Sequence, residues 1–183
     1  MKILLSTALA LAFAFSGAAC AQTRDVTDPS APRALQDDGP VAVQWTDPAE
    51  FTEIRGSLNS WEARRGNWVQ ELAEHLRDGI RERIGEGERV EVVITDIRRA
   101  GDFEPGRGPQ TDHVRVMRDI YWPRMTLEFS HYDAAGGLIR GGERELSDQN
   151  FMSSIRGRTR NQALRYEKNM IDDWLQREFG PRR

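Results

Sequence analysis

Residues 89–97 constrain the fold more than any other part of the chain. Val90, Val92 and Ile94 alternate on one face of an extended segment, and Val93, Thr95 and Ile97 on the other. Apolar residues on both faces predict an interior strand. Val41, Val43 and Trp45 alternate with Ala42 and Gln44, giving a half-buried strand that Asp47-Pro48 ends. Between the two, 51–58 is connecting structure without a clear period. Asn59-Ser60 then offers an N-cap for a helix beginning near Trp61. Trp61, Trp68, Leu72, Leu76 and Ile80, widened by Val69, Ala73 and Ile84, form one apolar face at helical spacing. Gly66 weakens its first turns by about 1 kcal/mol relative to Ala, so the helix can break there. Gly85 and Gly87 stop it. Strand, helix and strand make a β-α-β crossover.

Downstream, 101–112 reads as a long Gly/Pro loop, and 114–121 fits either a strand or a helical turn. Met125, Leu127 and Phe129 share one face of a further strand, and 133–137 is a hairpin loop. The returning strand, 138–146, is more polar and belongs nearer an edge. Residues 163–179 form an amphipathic helix with Met170, Ile171, Trp174 and Leu175 inward, joined by Tyr166 and Phe179, and Gly180-Pro181 ends it. The expected fold is α+β: a mixed, mainly antiparallel sheet of about four strands with two long amphipathic helices, in the order β-α-β-(β)-β-β-α.

The N-terminus reads as an address. Met1-Lys2 is followed by an apolar run, 3–15, and by the small-residue stretch Ser16-Gly17-Ala18-Ala19-Cys20-Ala21. That run is too short to span a membrane, which takes about 20 residues; no later segment is long and apolar enough either. Two cleavage sites compete. Ala19-Cys20-Ala21 is an A-x-A site that makes 1–21 a signal peptide. Alternatively Cys20 is lipidated, although Gly17 stands where lipoprotein signals usually carry an aliphatic residue. The expected location is the periplasm, or the membrane through Cys20. Residues 22–40, with Pro29, Pro32 and Pro40, read as a disordered leader, and 41–180 as a single domain.

Composition excludes some functions. Cys20 is the one cysteine of the 183 residues, so no disulfide framework or multi-Cys zinc motif exists within one chain. A formal net charge of −3 argues against a nucleic-acid partner. All but Lys2 and Lys168 of the 26 basic residues are Arg, interspersed with 29 acids, as on a surface laced with ion pairs. No P-loop, H-E-x-x-H, G-x-S-x-G or EF-hand motif is present, and nothing extends Gly106-Arg107-Gly108-Pro109 into a dinucleotide fingerprint. No cofactor is implied.

Three constellations remain. Asp96, Asp102, Glu104, Arg107, Asp112, His113, Arg118 and Asp119 crowd one stretch; Asp96, Asp102, Glu104 and His113 are the candidates for a metal-assisted hydrolase if they converge. Glu71, His75 and Asp78 lie on one helix face, as metal ligands or as its water-facing stripe. Arg156, Arg158, Arg160 and Arg165 form a basic run able to contact anionic polymer or lipid headgroups. Among the tryptophans, Trp122 beside Tyr121 and Pro123 is the candidate for an exposed aromatic.

With these segments laid out, the chain resembles a bacterial exported family known only as a domain of unknown function, DUF3016. The resemblance covers about 41–179. It rests on Val43-Gln44-Trp45-Thr46-Asp47-Pro48 with Phe51-Thr52, on Thr95-Asp96-Ile97, and on Gly101-Asp102-Phe103-Glu104-Pro105 with Arg107-Gly108-Pro109. It continues in Arg115-Val116, Asp119-Ile120-Tyr121, Pro123-Arg124, Gly142-Glu143-Arg144-Glu145-Leu146, Leu164-Arg165-Tyr166-Glu167-Lys168 and Asp172-Asp173-Trp174. It implies an envelope protein of this layout and carries over no catalytic residue. The expected function is a non-enzymatic binding or adaptor module with an envelope protein as partner. Its binding surface is expected on 101–123, through Phe103, Glu104, Arg107, Tyr121 and Trp122, since aromatics and Arg dominate binding hot spots; the alternative is that Phe103 and Tyr121 fold inward and the segment caps the core.

Overall fold

The structure is a computed structural model and describes residues 25–36, 39–104, 106, 111–153 and 163–182. A four-stranded sheet carries the architecture, in the order β1-β2-β5-β6. β1 (Val41–Trp45) runs parallel to β2 (Arg89–Arg98), with Val43 opposite Val92 and Trp45 opposite Ile94. β2 is antiparallel to β5 (Arg124–Tyr132), which forms a hairpin with the edge strand β6 (Leu138–Ser147). The β-α-β crossover and the α+β class are as the sequence predicts.

One helical layer covers one face of the sheet. α3 (Trp68–Arg81) and α4 (Arg165–Phe179) pack on it and on each other. Leu72, Leu76 and Ile80 from α3 and Met170, Ile171, Trp174 and Leu175 from α4 are buried against Val90, Val92, Ile94, Leu127 and Phe129. Gly79 lets the helices approach: a Cβ there would lie 2.4 Å from Leu175 Cδ1. The Trp174 ring meets Phe129 edge-on with centroids 5.8 Å apart.

The apolar residues on both faces of β2 have a different origin from two-sided burial. The register shifts between Ile94 and Asp96, a bulge that spends one extra residue. Beyond it the side-chain parity reverses, so Ile97 returns to the core face and is fully buried. Val93 and Thr95 stay on the uncovered face, half-buried. β2 is interior because it has strand neighbours on both sides.

The long helix expected from Trp61 is broken at the predicted glycine. α2 (Ser60–Arg64) is capped by the Asn59 side chain, which accepts from the Glu62 amide at 3.2 Å. Gly66 then adopts φ +99°, a left-handed conformation that separates α2 from α3 and is open to Gly without cost. The break turns Trp61 outward, contrary to its place on the predicted apolar face. It is 59% exposed, with the Arg65 guanidinium over its ring. Residues 48–55 form a 3-10 turn and the short helix α1 (Thr52–Arg55). The ambiguous 114–121 stretch holds a two-residue strand, β4 (Arg115–Val116), paired with β3 (Asp102–Phe103), followed by a turn.

Residues 25–36 depart most from expectation. They form an ordered strap, where the sequence reads as a disordered leader. Leu35 N–H donates to Val43 O and Trp45 N–H to Arg33 O, both at 2.9 Å, so 33–35 extends the sheet beyond β1. The other end is tied down by Val26 N–H to Arg64 O, 2.9 Å. Val26 and Leu35 pack on the main core. Two aspartate-centred turns shape the strap: the Asp25 carboxylate accepts from the Thr27 amide and hydroxyl, and the Asp28 carboxylate from those of Ser30.

Candidate ligand-binding cleft

Between the strap and α3 lies a cleft of about 860 Å³. Its floor is apolar: Val26, Leu35, Trp45 and Val69. One wall is the strap itself, from Asp25 to Gln36. The other is the N-cap residue Asn67 followed along α3 by Gln70, Glu74 and Arg77, three or four apart and therefore on one helix face. Among the described residues, Asp25, Asp28 and Glu74 place three carboxylates in the walls beside the guanidinium of Arg77. Hydrogen bonds from the hydroxyl and amide of Ser30 hold the Asp28 carboxyl below its ordinary value. Arg77 Nε donates to Asp78 at 3.0 Å, and Gln70 Nε2 to Glu74 at 2.8 Å. The Arg33–Asp47 ion pair, 3.0 Å, fixes the strap strand to the end of β1.

A second polar feature sits where β2, α1, β4 and the start of α4 meet. Glu53, 4% exposed, receives Arg99 Nε at 3.0 Å, Arg99 Nη2 at 2.8 Å, the Arg99 amide at 2.9 Å, and Arg115 Nη2. Arg99 stacks over Trp68 and Arg115 over Phe103. Glu167 enters from α4 and accepts the Ala100 amide at 2.7 Å. Burial pushes the Glu167 carboxyl above its ordinary value, against the Ala100 and Glu167 amides and the charges of Arg99 and Arg115. Every donor named here ends on a protein acceptor, so the cluster fastens elements together.

Of the residues that the sequence marks for binding, the described ones, Phe103, Glu104, Tyr121 and Trp122, do not share one exposed surface. Phe103 is buried at 4% exposure beneath Arg115 and belongs to the core. Glu104 accepts from Arg118 at 2.7 Å and from the Tyr121 hydroxyl at 3.3 Å, which folds Tyr121 inward. Trp122 is half-buried against Ala100, Phe151 and Tyr166, so it is not the exposed aromatic expected. Arg107 lies outside the described residues, as do Ala21, Cys20, Arg156, Arg158 and Arg160. Arg165 stacks on Tyr166 and donates to its hydroxyl at 2.9 Å. What the 111–121 arm exposes is Val114, Met117 and Ile120, which the sequence reading places at helical spacing and does not mark for binding.

The metal candidates are held apart. Asp96 binds the Thr52 amide and hydroxyl at 2.6 and 2.7 Å, Asp102 pairs with Arg98 at 3.1 Å, and His113 is exposed on a turn. His75 Nε2 lies 2.9 Å from Asp172 on α4, turned away from a shared site with Glu71 and Asp78. Among the described residues no group of three or more His, Cys, Asp or Glu side chains gathers to hold a metal ion.

The sequence reading missed the cleft because one wall comes from the stretch it gives to a tether. The available signal was the pair of Asp-x-Thr and Asp-x-Ser turns ahead of the alternating Ala34, Leu35 and Gln36.

Fold and cleft define a small two-layer α+β protein with a groove beside the parallel edge of its sheet. The chain belongs to the family described as protein of unknown function, DUF3016, whose sequence profile matches residues 39–177. The strap precedes the matched region, so the cleft joins the family domain to this chain's own N-terminal segment. No curated protein and no solved structure gives a significant match.

Proposed function

We propose that the protein is an exported binding module of the bacterial envelope, non-enzymatic, whose ligand site is the cleft between the strap and α3. The observation that carries this reading is the cleft itself. Its volume of about 860 Å³ falls in the range of roughly 300–1,000 Å³ typical of ligand sites, and it has their make-up, an apolar floor with a few polar groups in the walls. The positive n-region, apolar run and Ala19-Cys20-Ala21 support export to the periplasm. An envelope protein is the partner, and the membrane becomes a second one only if Cys20 is lipidated.

An amino acid with a slim, flexible aliphatic diazirine side chain, placed at Gln70 on the cleft wall, tests the reading in cells without filling the groove. It should trap an adduct that the same group at Glu128, on the uncovered sheet face, does not. Ala31→Trp should abolish the adduct, because Ala31 is half-buried in the cleft lining and a large ring there takes up the groove. Equal trapping at both positions, or trapping unaffected by Ala31→Trp, overturns the cleft as the site. Mass spectrometry of envelope fractions should find an N-terminus at Gln22. A diacylglyceryl group on Cys20 makes the protein a lipoprotein, and an intact Met1 overturns export.

A further inference from the structure

We infer that the cleft accepts an extended peptide segment of a partner protein, added as a strand along the outer edge of the strap and carrying basic side chains. The inference rests on the reading of the cleft as the ligand site, and it commits that site to one kind of occupant.

The backbone supplies the first reason. Ala34 sits opposite Gln44 in an antiparallel bridge, while the flanking hydrogen bonds are made by Leu35 to Val43 and by Trp45 to Arg33. In that pattern the facing residue is of the non-hydrogen-bonded type, so the N–H and carbonyl of Ala34 point away from β1. Ala34 is exposed and lines the cleft. A sheet edge with a helix lying alongside is the geometry that takes an added strand. Main-chain bonds supply affinity, and alternate side chains of the segment reach the floor of Val26, Leu35, Trp45 and Val69.

Length and charge supply the others. The α3 stripe from Asn67 to Arg77 runs for about 15 Å of helix, which faces about four to five extended residues. Asp25, Asp28 and Glu74 outnumber Arg77, whose Nε is engaged by Asp78. Among the described residues, a carboxylate at the end of an acyl chain meets Arg77 alone against these three carboxylates. A second copy of the strap would bring Asp25 and Asp28 against their own kind. A segment alternating apolar and basic residues meets both the floor and the walls.

The test uses the purified full chain and isothermal titration calorimetry. The probe is a capped octapeptide of alternating Lys and Val, with a Glu-Val octapeptide and a Lys-Val octapeptide N-methylated at alternate residues as controls. The Lys-Val peptide should bind about tenfold or more tightly than the Glu-Val peptide. N-methylation should abolish binding, as should Gln70→Trp, which fills the groove from the helix side without touching the strap backbone. Asp28→Lys combined with Glu74→Lys should reverse the preference toward Glu-Val. Equal binding of the N-methylated peptide overturns strand addition, and indifference to the charge reversal overturns the basic segment. If palmitate binds in the groove, is blocked by Gln70→Trp, and neither peptide binds, the cleft survives as a ligand site and the peptide inference fails. Concentration-dependent dimerisation abolished by Ala34→Pro overturns it in favour of self-pairing. If no probe binds and Gln70 traps nothing in cells, both readings fall together.

Discussion

Glu53 is the residue on which most of the interior charge depends. Its carboxylate pairs with both Arg99 and Arg115, and all three are removed from water to a large degree. A buried ion pair adds little over an apolar alternative, but removing one partner strands the other in a poorly solvating interior. Glu53→Ala should therefore cost about 3–5 kcal/mol in urea unfolding. A loss below about 1 kcal/mol would mean that water replaces the carboxylate freely. Glu167 makes the complementary point. Its carboxyl is raised by burial, so its contribution to stability is complete below the unfolded-state value, about 4.3, and declines as pH rises through the raised folded-state value. Glu167→Gln keeps an acceptor for the Ala100 amide and cannot ionise. Unfolding measured from pH 4 to 8 should show a flatter profile for the variant, with stability at pH 8 equal to or above that of the parent. A variant less stable than the parent at pH 8 would show that the ionised carboxylate is what Arg99 and Arg115 require.

The elements show where sequence patterning succeeds. Val90, Val92, Ile94, Met125, Leu127, Phe129, Ile171 and Trp174 announce their buried faces by period alone, because burial on a regular element repeats with that element's geometry. Two features escape the same logic. The bulge before Asp96 inverts parity, and no residue type in Ile94-Thr95-Asp96 marks it. The strap is held by long-range backbone bonds to β1, and its own composition is that of a linker: prolines, turn-forming aspartates and few apolar residues. Val26 and Leu35 are its only large aliphatic side chains on the core, yet they suffice to dock it. A chain beginning at Gly39 should retain the fold but lose about 1–3 kcal/mol of stability, since those two side chains and the bonds to β1 go with the strap. An unchanged midpoint in urea would show that the strap contributes nothing.

Among the described residues, the sheet has one helix-covered face, one face without helices and a built-out parallel edge. The expected α+β layout was legible because two helices and four strands each carry their own pattern. The binding site was not, because a cleft is a relation between segments. Asp25 and Arg77 are far apart in sequence, and neither is unusual alone. The 101–123 segment drew attention through its aromatics and Arg, but Phe103 and Trp122 serve to close the interior over the ends of β2 and α4. Residues rich in binding chemistry are also good packing residues, and only burial separates the two uses.

Residues 25–36 form a folded wall of the cleft. Amide hydrogen exchange on the purified full chain tests it most directly. The amides of Val26, Leu35 and Trp45 each donate to a backbone carbonyl that joins the strap to the domain, so all three should be protected well beyond unstructured-chain rates. Protection at Leu35 and Val26 should fall together when Leu35→Ala loosens the strap, while Val92 in β2 stays protected. If Val26 and Leu35 exchange at unstructured-chain rates while Val92 is slow, the strap is a tether and the cleft does not exist.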